Sequence, residues 1–185
     1  MDSSIKKNIL WAVVGLAAIV LLAAAGWFIY FKMQFATYND AQFKFSISYP
    51  VTWKMLPDPT PGVRVVFQSP KDTAMDVFQE NINISLQDVP AHLASLKTFS
   101  DTIYRQMTVV FKSQIKVIVN KDVMFGQRPG HMLVFETPAP DPLKSVIVWT
   151  IKNDRAYLFT YMGRLEKYEE LKLKINEAVE SFHLQ

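Results

Sequence analysis

The chain has 185 residues, half of them hydrophobic, 13% aromatic and 20% charged; that is one ordinary domain plus a tail or anchor, and it excludes a disordered or low-complexity chain. The net charge of +3 becomes 18 basic against 16 acidic residues once Asp2, Lys6 and Lys7 are set aside, too even a balance for a nucleic-acid surface. The absence of cysteine excludes disulfides, thiolate metal sites, a cysteine nucleophile and lipidation on cysteine.

The first element is an apolar run. Residues 9–31 contain no charged side chain, and these 23 residues would span about 35 Å as a helix, against a hydrocarbon core of about 30 Å. Trp11 marks one end and Trp27, Tyr30 and Phe31 the other, as aromatic rings do at headgroup level. Lys6 and Lys7 precede the run and Lys32 alone follows closely, so the positive-inside rule predicts a single-pass anchor with a cytoplasmic N-terminus. The expected organisation is therefore a cytoplasmic segment 1–8, a transmembrane helix 9–31, a tether 32–40 and an extracytoplasmic domain 41–185. Ala23, Ala24, Ala25 and Gly26 also fit a leader cleavage site. The run is longer than a leader core and continues past that site, which favours a retained anchor. Gly15, Ala18 and Ala25 fall along one helix face, a candidate seam for another membrane helix; the plainer reading is that alanine is common in spans.

The domain follows as strands and two helices. Phe43, Phe45, Ile47 and Tyr49 alternate with polar residues, which predicts a strand stopped by Pro50, with Trp53 in a short extension. Residues 57–62 are a proline-rich loop, 63–67 a second strand and 81–86 a third. Asn83-Ile84-Ser85 matches a glycosylation sequon, although a strand is a poor place for a glycan. Pro90 is expected to open a helix whose inner stripe is Leu93, Leu96, Phe99, Ile103, Met107 and Val110.

Four more strands are expected. Ile115, Val117 and Val119 alternate, residues 122–129 form a turn, and 132–135, 146–151 and 157–161 are apolar on both faces, as central strands are. A proline-rich loop, 137–142, separates two of them, and Asn153-Asp154 signals a tight hairpin. The last helix, 166–182, has Tyr168, Leu171, Ile175, Ala178, Val179 and Phe182 on its inner stripe. Three strands, a helix, four strands and a helix contain no repeated βαβ unit, which predicts an α+β fold with a largely antiparallel sheet.

No chemistry is legible. His92, His131 and His183 lack ligand spacing and are expected at the surface or at helix ends. The six glycines form no phosphate loop, and no serine stands in a nucleophile elbow. Asp72, Asp76 and Glu80 are spaced by four; a divalent-cation site is conceivable there, but a solvated loop is the expected reading. No catalytic residue, cofactor or metal is expected. The exposed segments that stand out are the two proline-rich loops, with Pro57, Pro59 and Pro61 in one and Pro138, Pro140 and Pro142 in the other. Proline leaves such loops preordered and cheap to dock.

Tyr38, the segment Phe43-Lys44-Phe45-Ser46-Ile47, Pro50 with Trp53, residues 62–67 and 81–84, and the closing Ser181-Phe182 resemble the PsbP-like family across nearly all of 38–184. The resemblance implies an αβα sandwich around an antiparallel sheet, docking onto a larger membrane complex, and no catalysis. Photosystem members of that family are usually soluble after processing and carry a basic, flexible N-terminal arm; here the span and tether stand in its place. The expected function is a non-catalytic accessory or stabilising subunit of a photosynthetic, respiratory or envelope complex. Its expected partners are integral membrane subunits and membrane lipid, with neither nucleic acid nor a small-molecule substrate. The alternative is a membrane-anchored module holding a small apolar or envelope ligand between sheet and helix.

Overall fold

The computed structural model describes residues 3–57, 60–76, 78–138 and 140–185. Its first element is helix α1, Ser3–Lys32. Among the described residues this is the one helix long and apolar enough to cross a membrane, over Val13–Lys32. Its side chains from Val13 to Tyr30 are all exposed. The chain divides into two units, Met1–Ala36 and Thr37–Gln185.

The second unit is built on a seven-stranded antiparallel sheet. In chain order its strands are β3 (Lys54–Leu56), β4 (Val63–Gln68), β5 (Asn81–Asp88), β6 (Lys116–Phe125), β7 (Arg128–Glu136), β8 (Leu143–Lys152) and β9 (Arg155–Arg164), arranged as β3-β4-β5-β9-β8-β7-β6. A small second sheet joins β1 (Phe35–Asp40), β2 (Phe45–Pro50) and β10 (His183–Leu184) in the order β1-β2-β10. Helix α2, Leu96–Phe111, covers one face of the large sheet; helix α3, Leu165–Ser181, and the small sheet cover the other. The expected αβα sandwich is present.

The strand period of two sorts side chains between the faces. Val146 and Val148 of β8, with Tyr157, Phe159 and Tyr161 of β9, meet α3 and β2. Ile147, Trp149 and Ile151 of β8, with Ala156 and Leu158 of β9, meet α2. Of the strands apolar on both faces, β9 is the middle of the sheet, β8 lies next to it and β7 is second from the edge. All six residues of the stripe expected on α3 pack into the core.

Several local expectations are corrected. Residues 35–40, read as part of the tether, are strand β1. Helix α2 begins at Leu96, not at Pro90, because Ser95 Oγ accepts the Thr98 N–H at 3.0 Å as an N-cap; Pro90 opens only a single 3-10 turn, Ala91–Leu93. Val110, expected on the inner stripe, is 71% exposed. The register of β6 against β7 shifts between Val117 and Val119. That bulge turns Val117 toward α2 and Val119 toward α3, where a regular strand would put both on one face. Most of the turn expected over 122–129 is strand: β6 runs on to Phe125 and reverses in two residues, Gly126 and Gln127, at φ 59° and 61°. Asn153 and Asp154 make the second such turn, at φ 52° and 56°. Both have the left-handed pair a tight hairpin demands.

These two turns mark one end of the large sheet, the hairpin end. The other end, where α3 starts, also receives the close of α2, since Phe111 packs on Phe135 with ring centroids 6.4 Å apart.

Candidate interaction surface

The two proline-rich loops lie at opposite ends of the sheet. The described residues 60–62 of the first loop sit at the hairpin end: Val63 pairs with Ser85, Gly62 O accepts the Leu86 N–H at 2.7 Å, and Asp88 pairs with Arg155 beside the 153–154 turn. Pro57 and Pro61 are exposed there; Pro59 lies outside the described residues. Residues 137–142 sit at the α3 end, between Glu136 and Leu143, with Leu143 paired to Arg164. On α1, Gly15, Ala18 and Ala25 are exposed, and a Cβ added at Gly15 would meet nothing within 4 Å.

The loop at the α3 end is the more firmly built. Thr137 Oγ1 accepts the Leu143 N–H and Leu143 O accepts the Thr137 N–H, both at 2.9 Å, closing its base. Pro142 O accepts the Leu165 N–H at 2.9 Å, which ties the loop to the first turn of α3. Pro138 and Pro140 are exposed and Pro142 is half-buried. Pro140, Asp141, Pro142, Arg164, Leu165 and Glu166 line an open cleft of about 430 Å³.

Under that cleft lies a charge cluster that spacing alone did not reveal. Arg164, at the junction of β9 and α3, reaches Asp72 at 3.3 Å, Asp76 and Glu80 at 3.5 Å and Glu166 at 3.7 Å. Lys167 Nζ lies 3.0 Å from both Asp72 and Glu170. The side chains of Asp76 and Glu80 are only 2% and 4% exposed, so the expectation of a solvated loop is wrong for both. Asp76 accepts the backbone N–H groups of Asp72 and Phe78 at 3.1 and 3.2 Å. The Asp72 bond is the main cause holding its carboxyl below the ordinary value; Phe78, Arg164 and Lys71 act in the same direction against burial. Partial burial opposes the Arg164 charge, but Asp76 and Glu80 outweigh it and hold the guanidinium above its ordinary value. Ser69 Oγ donates to Glu80 at 3.1 Å. The buried Tyr161 hydroxyl has no hydrogen-bond partner; its removal from water, with Glu80 nearby, pushes its pKa up. The carboxylates are thus engaged by cations and N–H donors. Among the described residues, no group of three or more His, Asp or Glu side chains could hold a metal ion.

Two other constellations stand apart. His131, expected at the surface, is held with Nδ1 2.7 Å from Asp122 Oδ1 and Nε2 2.5 Å from Asn120 Oδ1, over Trp149 at 5.0 Å. Trp149 Nε1–H donates to Ser100 Oγ at 3.0 Å, which fixes α2 over the sheet. At the hairpin end, Phe43 lies between Arg64 at 4.2 Å and Arg155 at 5.1 Å, and Arg64 meets Asp40 at 3.3 Å. The motif residues Phe43, Phe45, Ile47 and Trp53 are therefore packing residues: the last three are buried in the core beneath the small sheet.

A family model described as PsbP matches residues 33–184. Among solved structures, cyanobacterial PsbP (CyanoP) from Synechocystis sp. PCC 6803 is similar at a TM-score of 0.63 and 19% identity, covering 82% of this chain and 93% of that one. The Ran-binding protein Mog1p of Saccharomyces cerevisiae is similar at 0.56 and 9% identity, covering 81% and 95%. LpqN of Mycobacterium tuberculosis, described as involved in cell envelope biogenesis, is similar at 0.55 and 10% identity, covering 82% and 91%. At these identities the likeness is one of fold. No curated protein matches the sequence.

Proposed function

The chain belongs to the PsbP family, and from that premise we propose that it is a single-pass membrane protein whose extracytoplasmic domain is an accessory or stabilising subunit of a multi-subunit membrane complex. The family is one of accessory and binding roles and is generally non-catalytic. The observation that carries this reading is the fusion of a PsbP domain to an apolar helix whose side chains are exposed from Val13 to Tyr30. An anchor of that kind raises the domain's effective concentration at a membrane partner, so weak contacts suffice. Lys6 and Lys7 against the single Lys32 favour a cytoplasmic N-terminus.

The docking elements are the 137–142 loop, pinned at its base and to α3, and the Gly15, Ala18 and Ala25 seam of α1. The 57–62 loop is at the other end of the sheet, so one flat partner surface does not engage both loops. Large side chains fill both interlayer spaces, Phe45, Phe67, Phe159 and Tyr161 on one side and Phe99 and Trp149 on the other. That filling leaves a ligand held between sheet and helix without support.

The test is native purification. The membrane is solubilised in mild detergent, the chain is captured by a tag at its C-terminus, and the bound proteins are identified by mass spectrometry. A stoichiometric set of integral membrane subunits is expected and would identify the process served. Recovery should fall when Pro138, Pro140 and Pro142 are replaced together by alanine. A lone monomer in several mild detergents would overturn the reading.

A further inference from the structure

Helix α3 starts among carboxylates. Arg164 and Lys167 are the cations of one ion-pair network, and Asp72, Asp76, Glu80, Glu166 and Glu170 share them. Lys71 also acts on Asp76. Asp141, beside Arg164 and Glu166, is exposed and stands in no ion pair among the described residues, so six acids gather here against three cations. The neighbouring Lys144 pairs with Glu136 at 3.1 Å and leaves that balance unchanged. Asp76 and Glu80 are buried on the guanidinium, whereas the Glu166 side chain is 75% exposed and lies 3.7 Å from Arg164 Nη1. The excess negative charge is therefore at the surface.

Asp141 and Glu166 line one cleft of about 430 Å³, together with Pro140, Pro142, Arg164 and Leu165. Its walls offer both contacts that a long basic side chain makes. The stem of an arginine or lysine lies on apolar atoms, here those of Pro140, Pro142 and Leu165, while its head stays with carboxylate oxygens. An acidic side chain would find only Arg164, already engaged by Asp76 and Glu80, and would be repelled by Asp141 and Glu166. A purely apolar segment would strip water from those two carboxylates and return no hydrogen bond. The bonds from Thr137 to Leu143 and from Leu165 to Pro142 fix the cleft before anything binds, so association carries little ordering cost.

We propose that this cleft receives an arginine or lysine side chain from a basic segment of the partner subunit, its stem on Pro140, Pro142 and Leu165 and its head on Asp141 and Glu166. This inference rests on reading 137–142 as a docking loop of an accessory subunit, and it names the chemistry of what docks there.

The test uses the full chain in micelles of an uncharged detergent and three peptides carrying an uncharged dye. In them alanine alternates with arginine, with glutamine or with glutamate, and fluorescence anisotropy reads binding. At low salt the arginine peptide should bind at least about fivefold more tightly than the glutamine peptide, within reach of two exposed ion pairs, and the glutamate peptide should bind most weakly. The preference should shrink in about 0.5 M salt and vanish in the Asp141→Asn, Glu166→Gln double variant. Asp141→Asn alone, in an exposed loop and outside the ion-pair network, should lower it at least about twofold. Asp154→Asn, which removes an acid at the hairpin end, should leave it unchanged. Equal affinity for the arginine and glutamine peptides, tighter binding of the glutamate peptide, or an arginine preference that neither Asp141→Asn nor the double variant reduces would each overturn the site. Membrane subunits recovered in the native purification without any arginine preference would overturn this inference and leave the accessory-subunit reading standing. A lone monomer that still prefers arginine through Asp141 and Glu166 would overturn that reading and leave the cleft's charge selectivity.

Discussion

Arg164 and Glu80 are 84 residues apart in the chain and meet with Nε 3.5 Å from Oε1. The contact closes the start of α3 onto the segment that leads into β5. Because Glu80 and Asp76 are almost fully buried, removing the guanidinium leaves two carboxylates without their cation. Arg164→Ala should therefore lower the thermal midpoint clearly more than Arg155→Ala, whose partner Asp88 is 83% exposed. Thermal denaturation of both variants followed by circular dichroism checks the order.

Asp76 gives that cluster a pH dependence of defined sign. Its carboxyl is held below the ordinary value of 3.8, first by the Asp72 N–H. A carboxyl with a depressed folded pKa stabilises the fold above the unfolded value and loses that contribution as pH falls through the folded one. Asp76→Asn should thus cost most near neutral pH, and its deficit should narrow as the pH falls below the ordinary carboxyl value of 3.8. Urea midpoints of the two proteins from neutral pH downward measure the narrowing.

The Trp149–Ser100 hydrogen bond spans 49 residues and is wholly buried. Ser100→Ala leaves the indole N–H without a partner and should cost about 1–3 kcal/mol. Adding Trp149→Phe removes the orphaned donor, so the double variant should cost less than the sum of the single ones. A double-mutant cycle in urea reads the coupling.

Gly163 holds open the space under the charge cluster. A Cβ there would collide with the Tyr161 hydroxyl and approach Glu80 Cγ to 2.7 Å. Gly163→Ala should destabilise by about 1–3 kcal/mol through overpacking, and chemical denaturation measures it.

The two tight turns respond in opposite directions. Gly126→Ala forces a Cβ onto φ +59° and to 3.0 Å from the Phe182 ring, and should cost about 1–2 kcal/mol. Asp154→Gly, at φ 56° after Asn153, creates the preferred pair for this turn and should be neutral or stabilising by up to about 1 kcal/mol. Paired unfolding curves at the two turns test both signs.

The readable parts were those whose signal is local. The alternation around Phe45 and Ile47, the stripe on α3 and the Asn153-Asp154 turn each repeat within a few residues. Strand β1 was missed because its partner β2 and the ring of Phe67, not its own pattern, order it. The bulge beside Ile118 left no composition signal, yet it moved every later side chain of β6 to the other face. The spacing of Asp72, Asp76 and Glu80 was visible, but the arginine that pairs with them comes from the end of β9, 84 to 92 residues later in the chain.

By itself, the sequence determined the long apolar helix, the fold class and the family, because hydrophobic period, run length and turn chemistry act between near neighbours. Only the tertiary structure decided which end of the sheet each proline loop occupies, that Arg164 closes a buried carboxylate cluster, and that β1 pairs with β2. Those follow from strand order and register, which bring together residues separated by tens of positions and leave no periodic trace in the sequence.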